Sequence, residues 1–167
     1  MNTYRPMMAR TAEKPFNDPD WLYEVKWDGI RAIAYMGEQI SIRTRNDKEL
    51  ITKFPELNEL TELTKNVVLD GEIVILTDGL PDFQAVASRN QANNPRDIQA
   101  GASERPATYI VFDILEAEGV SLIDHPLHER IEILKKNLKP GRHAVQSDPI
   151  QENGIEYYQA AVQKNLE

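Results

Sequence analysis

Three short stretches hold residues whose types and spacing could do chemistry. In "WLYEVKWDGIRAIAY" (21–35), Lys26 and Arg31 flank Asp28-Gly29. Asp-Gly between strand-like runs predicts a two-residue type I′ turn, in which both central residues take positive φ. That turn would pair Trp27 with Ile30 and Lys26 with Arg31. Like charges directly opposite destabilise a sheet. The pair therefore either holds an anion between its members or snorkels on a solvated face, and the stretch alone leaves both open. On the first alternative, the guanidinium disfavours the ammonium form of Lys26 and leaves a usable nucleophile. Arg31 can meanwhile fork onto a phosphate.

In "LDGEIV" (69–74), Asp70 and Glu72 share one strand face with Gly71 between them. A strand glycine marks a bulge or a close approach. Two carboxylates there could hydrogen-bond a ribose, hold a divalent cation through oxygen ligands, or cap neighbouring amides. In "YIVFDIL" (109–115), Phe112 and Asp113 point to alternate faces; a strand phenylalanine is ordinarily core, and only its company suggests a stacking platform. Arg43 and Arg45, two apart, face one way and could extend an anion site. His125, His128 and His143 lack metal-ligand spacing, which argues against zinc. There is no GxxxxGK[ST], GxGxxG or GxSxG stretch, so a nucleotide would have to be engaged through the lysine.

These residues need elements to position them. Alternation predicts a strand over 21–27, returning through "IRAIAYM", with a third strand at 39–45, an antiparallel meander. Leu57, Leu60 and Leu63 mark a helix with Pro55 in its first turn. Strands follow at 67–76 and 108–115, with a short helix at 82–89 between them. Residues 90–106, rich in Asn, Pro, Gly and Ser without periodicity, read as a mobile surface loop. Leu127, Ile131, Leu134 and Leu138 line a helix closed by Pro140-Gly141. A short strand at 143–147 and a last helix at 153–165 follow. Strands in groups with inserted helices make the fold class α+β.

The 167 residues fit one domain with a real core. Zero cysteines exclude a disulfide framework and thiolate metal sites. No spanning segment or secretory signal is visible, so the expected setting is cytoplasmic, nucleoid-associated, with no membrane partner. A net charge of −8 argues against a chain that clamps nucleic acid unaided, though not against a local basic pocket.

"EVKWDGIRA" resembles the KxDGxR motif of the covalent nucleotidyltransferases: ATP-dependent DNA ligases, RNA ligases and mRNA capping enzymes. "LDGEIV" is similar to their second acidic motif and "YIVFDIL" to their aromatic one, in the family's order. With "RTRNDKELITKFPEL" and "PLHERIEILKKNL", nearly the whole chain resembles the ligase domain of the bacterial and archaeal end-joining DNA ligases, the ligase D type. That resemblance implies antiparallel sheets packed with helices, an ATP-grasp-like adenylation domain over residues 1–167.

Lys26 would be the catalytic nucleophile, forming a lysyl-AMP phosphoramidate from ATP. Glu24 would lie beside the adenine and confer base choice, and Phe112 would stack on it. Arg31 and Arg45 would contact ribose or phosphates, and Glu72 the ribose hydroxyls. Asp28 and Glu167 would serve a magnesium or manganese ion. AMP would then pass to a 5′-phosphate of nicked or broken DNA, sealed by the 3′-hydroxyl, with end-joining factors such as Ku as partners. The family's fourth motif would begin at Glu167, leaving its remainder, the fifth motif and the OB-fold domain outside this chain. The resemblance thus implies a truncated adenylation domain, incomplete for catalysis: weak or inactive in sealing nicks and poor in adenylating itself. An RNA ligase or capping-type enzyme, and a non-catalytic nucleotide-binding remnant, are the alternatives.

Overall fold

The computed structural model describes residues 3–166. An extended start leads into β1 (Leu22–Tyr23), β2 (Ile30–Met36) and β3 (Ile40–Thr44). A 3-10 turn at Pro55–Glu59 runs into α1 (Leu60–Leu63), then β4 (Val67–Val74). A ribbon of β5 (Leu76–Thr77) and β6 (Leu80–Pro81) precedes α2 (Phe83–Gln91) and α3 (Pro95–Glu104). Next come β7 (Thr108–Ala117), β8 (Val120–Ser121) and α4 (Leu127–Asn137). The last elements are β9 (Ala144–Gln146), β10 (Ile150–Gln151) and α5 (Gly154–Gln163).

The main sheet has six strands, in the order β3-β2-β4-β7-β8, with β9 added parallel to β7. The other pairings in it are antiparallel, so the α+β class holds, with a mixed edge. Residues opposite one another across antiparallel strands share a face. On one face, Ala32, Ala34 and Met36 meet Val67, Leu69 and Ile73 in a core completed by Phe54, Leu57, Leu60 and Leu134. The register places Arg31 opposite Glu72, Ile33 opposite Asp70, and Asp70 opposite Asp113 on the other face. A small apolar patch of Ile33, Val68 and Leu115 there is covered by Tyr4 and Tyr35.

Three expectations are corrected. First, β1 does not pair with β2. It pairs with β10, and residues 24–28 run between β1 and β2 outside any ladder. The pairing of Lys26 with Arg31 therefore falls, because Arg31 faces Glu72 instead. Second, Gly29 is not among the residues at positive φ. Its constraint is space: an added Cβ would lie 2.3 Å from the Ile73 carbonyl oxygen. The turns with both central residues at positive φ are Asp78-Gly79, joining β5 to β6, and Glu118-Gly119, joining β7 to β8.

Third, most of residues 90–106 is helix, not loop. Asn94 caps α3, its side chain accepting from the Arg96 N–H at 3.0 Å, and Pro95 occupies the first turn. α3 buries no residue fully; Ile98, Gly101 and Ala102 are half-buried on one side, a stripe too short and too small for periodicity to reveal. It is held through the buried Arg89 of α2, which forks onto Glu56, donates to the Arg105 carbonyl at 3.1 Å and stacks over Phe54.

Candidate active site

The extended segment 24–28 keeps a period-two alternation although no strand among the described residues pairs with it. Glu24, Lys26 and Asp28 are exposed, while Val25 and Trp27 are half-buried. The segment is fixed at both ends: by β1 against β10, and by Gly29 lying tight against β4. The segment is thus positioned by β4 and by β10, both remote from it in sequence.

On the polar face of the sheet, Arg31 forks onto Asp70. Its Nε donates to Oδ1 at 3.1 Å and its Nη2 to Oδ2 at 2.8 Å. Nη1 donates to the Met7 carbonyl at 3.0 Å, and the guanidinium lies 4.9 Å from the centre of the Phe112 ring. Burial works against the Arg31 charge, but the hydrogen bonds and charge of Asp70, with Glu72, outweigh it and raise its pKa. Burial likewise pushes Asp70 above the ordinary range, with Arg31 pulling back. Burial pushes the Glu72 carboxyl up to about 7; Arg31 pulls it down, and the charges of Asp70 and Asp28 push it up.

Glu24 reaches solvent, yet protein surrounds enough of it that desolvation raises its pKa. A hydrogen bond from Ser147 Oγ to Oε2, 2.6 Å long, opposes that rise, while Asp113 adds to it and Arg31 offsets it. Asp113 is gripped in turn by Arg130 of α4, whose Nε and Nη2 both donate at 2.8 Å. The face is therefore strongly acidic, with Arg31 and Arg130 each committed to a carboxylate.

The structure brings Glu24, Asp28, Arg31, Glu72 and Phe112 into one neighbourhood, with Lys26 on the segment between Glu24 and Asp28. Arg45 lies past the end of β3, exposed, its Nη1 3.6 Å from Met8 Sδ. It borders a hollow of about 680 Å3 lined also by Arg5, Tyr35 and Arg43. Arg43 is paired with Asp47 at 3.0 Å. Glu167 lies outside the described residues. Gly71 proves to be a packing device: an added Cβ would meet the ring of Tyr109, whose buried hydroxyl donates to the carbonyls of Ala32 and Leu69. His125 contacts Glu129 and His143 contacts the Ala107 carbonyl.

Sequence reasoning missed two residues, Arg130 and Ser147. Arg130 could have been found as the one basic residue in the first half of an amphipathic helix. No local signal marks Ser147.

Among the described residues, no three His, Cys, Asp or Glu side chains gather around a metal-sized space. The donors near Lys26 are carboxylate oxygens, which suit magnesium or manganese completed by substrate phosphates and water. Asp28 would be the residue holding such an ion.

Comparison with known proteins places this geometry. Residues 6–167 match the family described as "ATP dependent DNA ligase domain". The chain is 35% identical over 164 residues to the SPbeta prophage-derived DNA ligase-like protein LigB of Bacillus subtilis, covering 97% of this chain and 57% of that protein. It is 36% identical over 128 residues to DNA ligase C of Mycobacterium tuberculosis, covering 75% of this chain and 35% of that protein. Among solved structures, a mycobacterial DNA ligase D complexed with ATP and MES superposes with a TM-score of 0.73 at 21% identity, over 98% of this chain and 52% of that one. A Lig E DNA ligase gives 0.68 at 18% identity, over 100% and 60%. These superpositions establish the shared fold, and the chain spans between 35% and 60% of the length of these relatives. With its family model matched almost end to end, this chain belongs to the ATP-dependent DNA ligase domain family.

Proposed function

We propose that this chain is the adenylation domain of an ATP-dependent DNA ligase, with Lys26 as its nucleophile. The observation that carries the reading is the assembly of Glu24, Asp28, Arg31, Glu72 and Phe112 around the segment presenting Lys26. Glu72 and Phe112 reach this segment from β4 and β7, remote in sequence from Lys26.

In this reading neutral Lys26 Nζ attacks the α-phosphorus of ATP. An N–P bond forms, the bond to the bridging oxygen breaks, pyrophosphate leaves with the electron pair, and the nitrogen's proton passes to solvent. Phe112 offers a ring for the base to stack on and Glu24 an acceptor for its amino group. Glu72 holds the ribose hydroxyls, and Arg31, oriented by Asp70, faces ribose or phosphate. A magnesium or manganese ion held by Asp28, when bound, would neutralise charge on the phosphates. Arg45 meets the incoming nucleic-acid phosphate. AMP then passes to the 5′-phosphate of nicked DNA, and the 3′-hydroxyl displaces it.

Domain organisation belongs to the same reading: residues 1–167 are one adenylation unit, and an OB-fold partner supplies the rest of the DNA grip. Because LigD of Bacillus subtilis, a bifunctional non-homologous end joining protein, is 29% identical over 163 residues, repair of broken DNA in the cytoplasm, beside end-joining factors such as Ku, is the setting we propose. The test is incubation of the full-length parent protein with α-labelled ATP and magnesium. Acid-labile, base-stable label on the protein, absent in Lys26→Ala, is expected. Label that persists in Lys26→Ala would sink the assignment.

A further inference from the structure

The base-facing carboxylate is tied to a residue that the motifs leave unassigned. Ser147 Oγ donates to Glu24 Oε2 at 2.6 Å, across 123 positions of sequence. The backbone of Ser147 is held as firmly: it follows β9, and its N–H donates to the Val111 carbonyl at 2.7 Å. Val111 immediately precedes Phe112 on β7. Ser147 therefore joins the two walls between which a nucleobase would lie, the stacking ring and the acceptor carboxylate.

We propose that Ser147 is a specificity-determining residue. Its hydroxyl fixes Glu24 as an acceptor aimed at the exocyclic amino group of adenine, against the carbonyl that guanine carries at that position. The proposal rests on the adenylation reading above and deepens it. The hydroxyl proton takes up one lone pair of Oε2 and so fixes the orientation in which the carboxylate offers its remaining lone pairs to the base. A carboxylate held this way accepts and cannot donate, so a purine carbonyl meets it lone pair to lone pair. A site built to hydrogen-bond one donor rejects an analogue lacking it far more strongly than an apolar pocket can. The surroundings support the assignment. Burial and Asp113 both favour protonation of Glu24, which would make it a donor; the Ser147 hydrogen bond and the charge of Arg31 oppose that. Tyr157 of α5 lies beside the same segment, close enough that, after burial, the Glu24 charge raises the pKa of its hydroxyl.

A purely structural tie would have different consequences. If Ser147 merely pinned the end of β9 to segment 24–28, its loss would weaken every nucleotide alike. The experiment is calorimetric titration of the chain with ATP and with GTP, for wild type, Ser147→Ala and Ser147→Thr, with thermal melts alongside. Ser147→Ala is expected to lose roughly tenfold of the ATP-over-GTP preference, the scale of one hydrogen bond to a charged group. Ser147→Thr, which keeps the donor, is expected to retain the preference. A Ser147→Ala variant that prefers ATP as strongly as wild type, whether or not both affinities fall, overturns the inference alone. A wild type that binds ATP and GTP equally, or binds neither, overturns the adenylation reading and this inference with it.

Discussion

Glu72 lies opposite Arg31 across the sheet, yet burial holds its carboxyl at about 7 against an ordinary 4.5. An acid whose pKa rises on folding binds its proton more tightly in the folded state. The stability Glu72 contributes is then complete below about pH 4.5 and is lost as pH climbs toward 7. Glu72→Gln removes that slope. We expect the variant to be about 1–2 kcal/mol more stable than wild type at pH 8 and equal to it at pH 4, allowing for screening at a partly solvated site. Urea melts at the two pH values decide it: an equal gain at both would show that charge is not the cause. At this scale the sequence was most informative where residue type restricts chemistry. Lys26, Glu24, Arg31, Glu72 and Phe112 could be singled out because each sits in a dense, ordered motif, and the fold gathers Glu24, Arg31, Glu72 and Phe112 near one another. Arg130 and Ser147 were not, because a side chain reaching into a site from a distant element leaves no local pattern.

Elements were legible wherever burial imposed a period. β2, β4, β7 and α4 fell close to their expected places, each with a face in the core. The errors came from backbone features that periodicity does not record. Segment 24–28 alternates like a strand because Val25 and Trp27 pack inward, but its ladder partner is missing. α3 presents only Ile98, Gly101 and Ala102 to the protein, none fully buried, and was read as loop, although Asn94-Pro95 is a helix-start signature. Two glycines show the same limit. Asp28-Gly29 and Asp78-Gly79 are identical dipeptides, but only the second lies at positive φ, with nothing within 4 Å of an added Cβ at Gly79. Gly79→Ala is expected to cost about 1 kcal/mol through backbone strain alone. Gly29→Ala forces an atom into the Ile73 carbonyl and is expected to cost about 2–3 kcal/mol, while displacing Lys26. Denaturant unfolding gives both costs, and loss of nucleotide labelling in Gly29→Ala alone would confirm the second effect. Equal costs with labelling intact in both would refute it.

At the scale of the whole molecule, charge and length point the same way. A net charge of −8 supplies little of the phosphate neutralisation on which DNA affinity depends, and the chain spans 57% of the LigB relative. The 167-residue chain is therefore expected to leave a nicked duplex unsealed, even where it forms a lysyl-nucleotide. A ligation assay resolved on a denaturing gel checks this; sealing comparable to a full-length relative would contradict it. The family was legible before the fold was, because its motifs are ordered along the chain, whereas the way they meet depends on contacts between remote segments.

The pairing of β1 with β10 sets Leu22 against Gln151 and Tyr23 against Ile150. The segment carrying Lys26 thus takes one of its two anchors from residues about 125 positions downstream. On a ribosome, the core strands β2, β3, β4 and β7 can associate while that anchor is still being made. The residue proposed as nucleophile is made well before β10, so a nascent chain carries Lys26 through about 125 further residues of synthesis before this anchor exists.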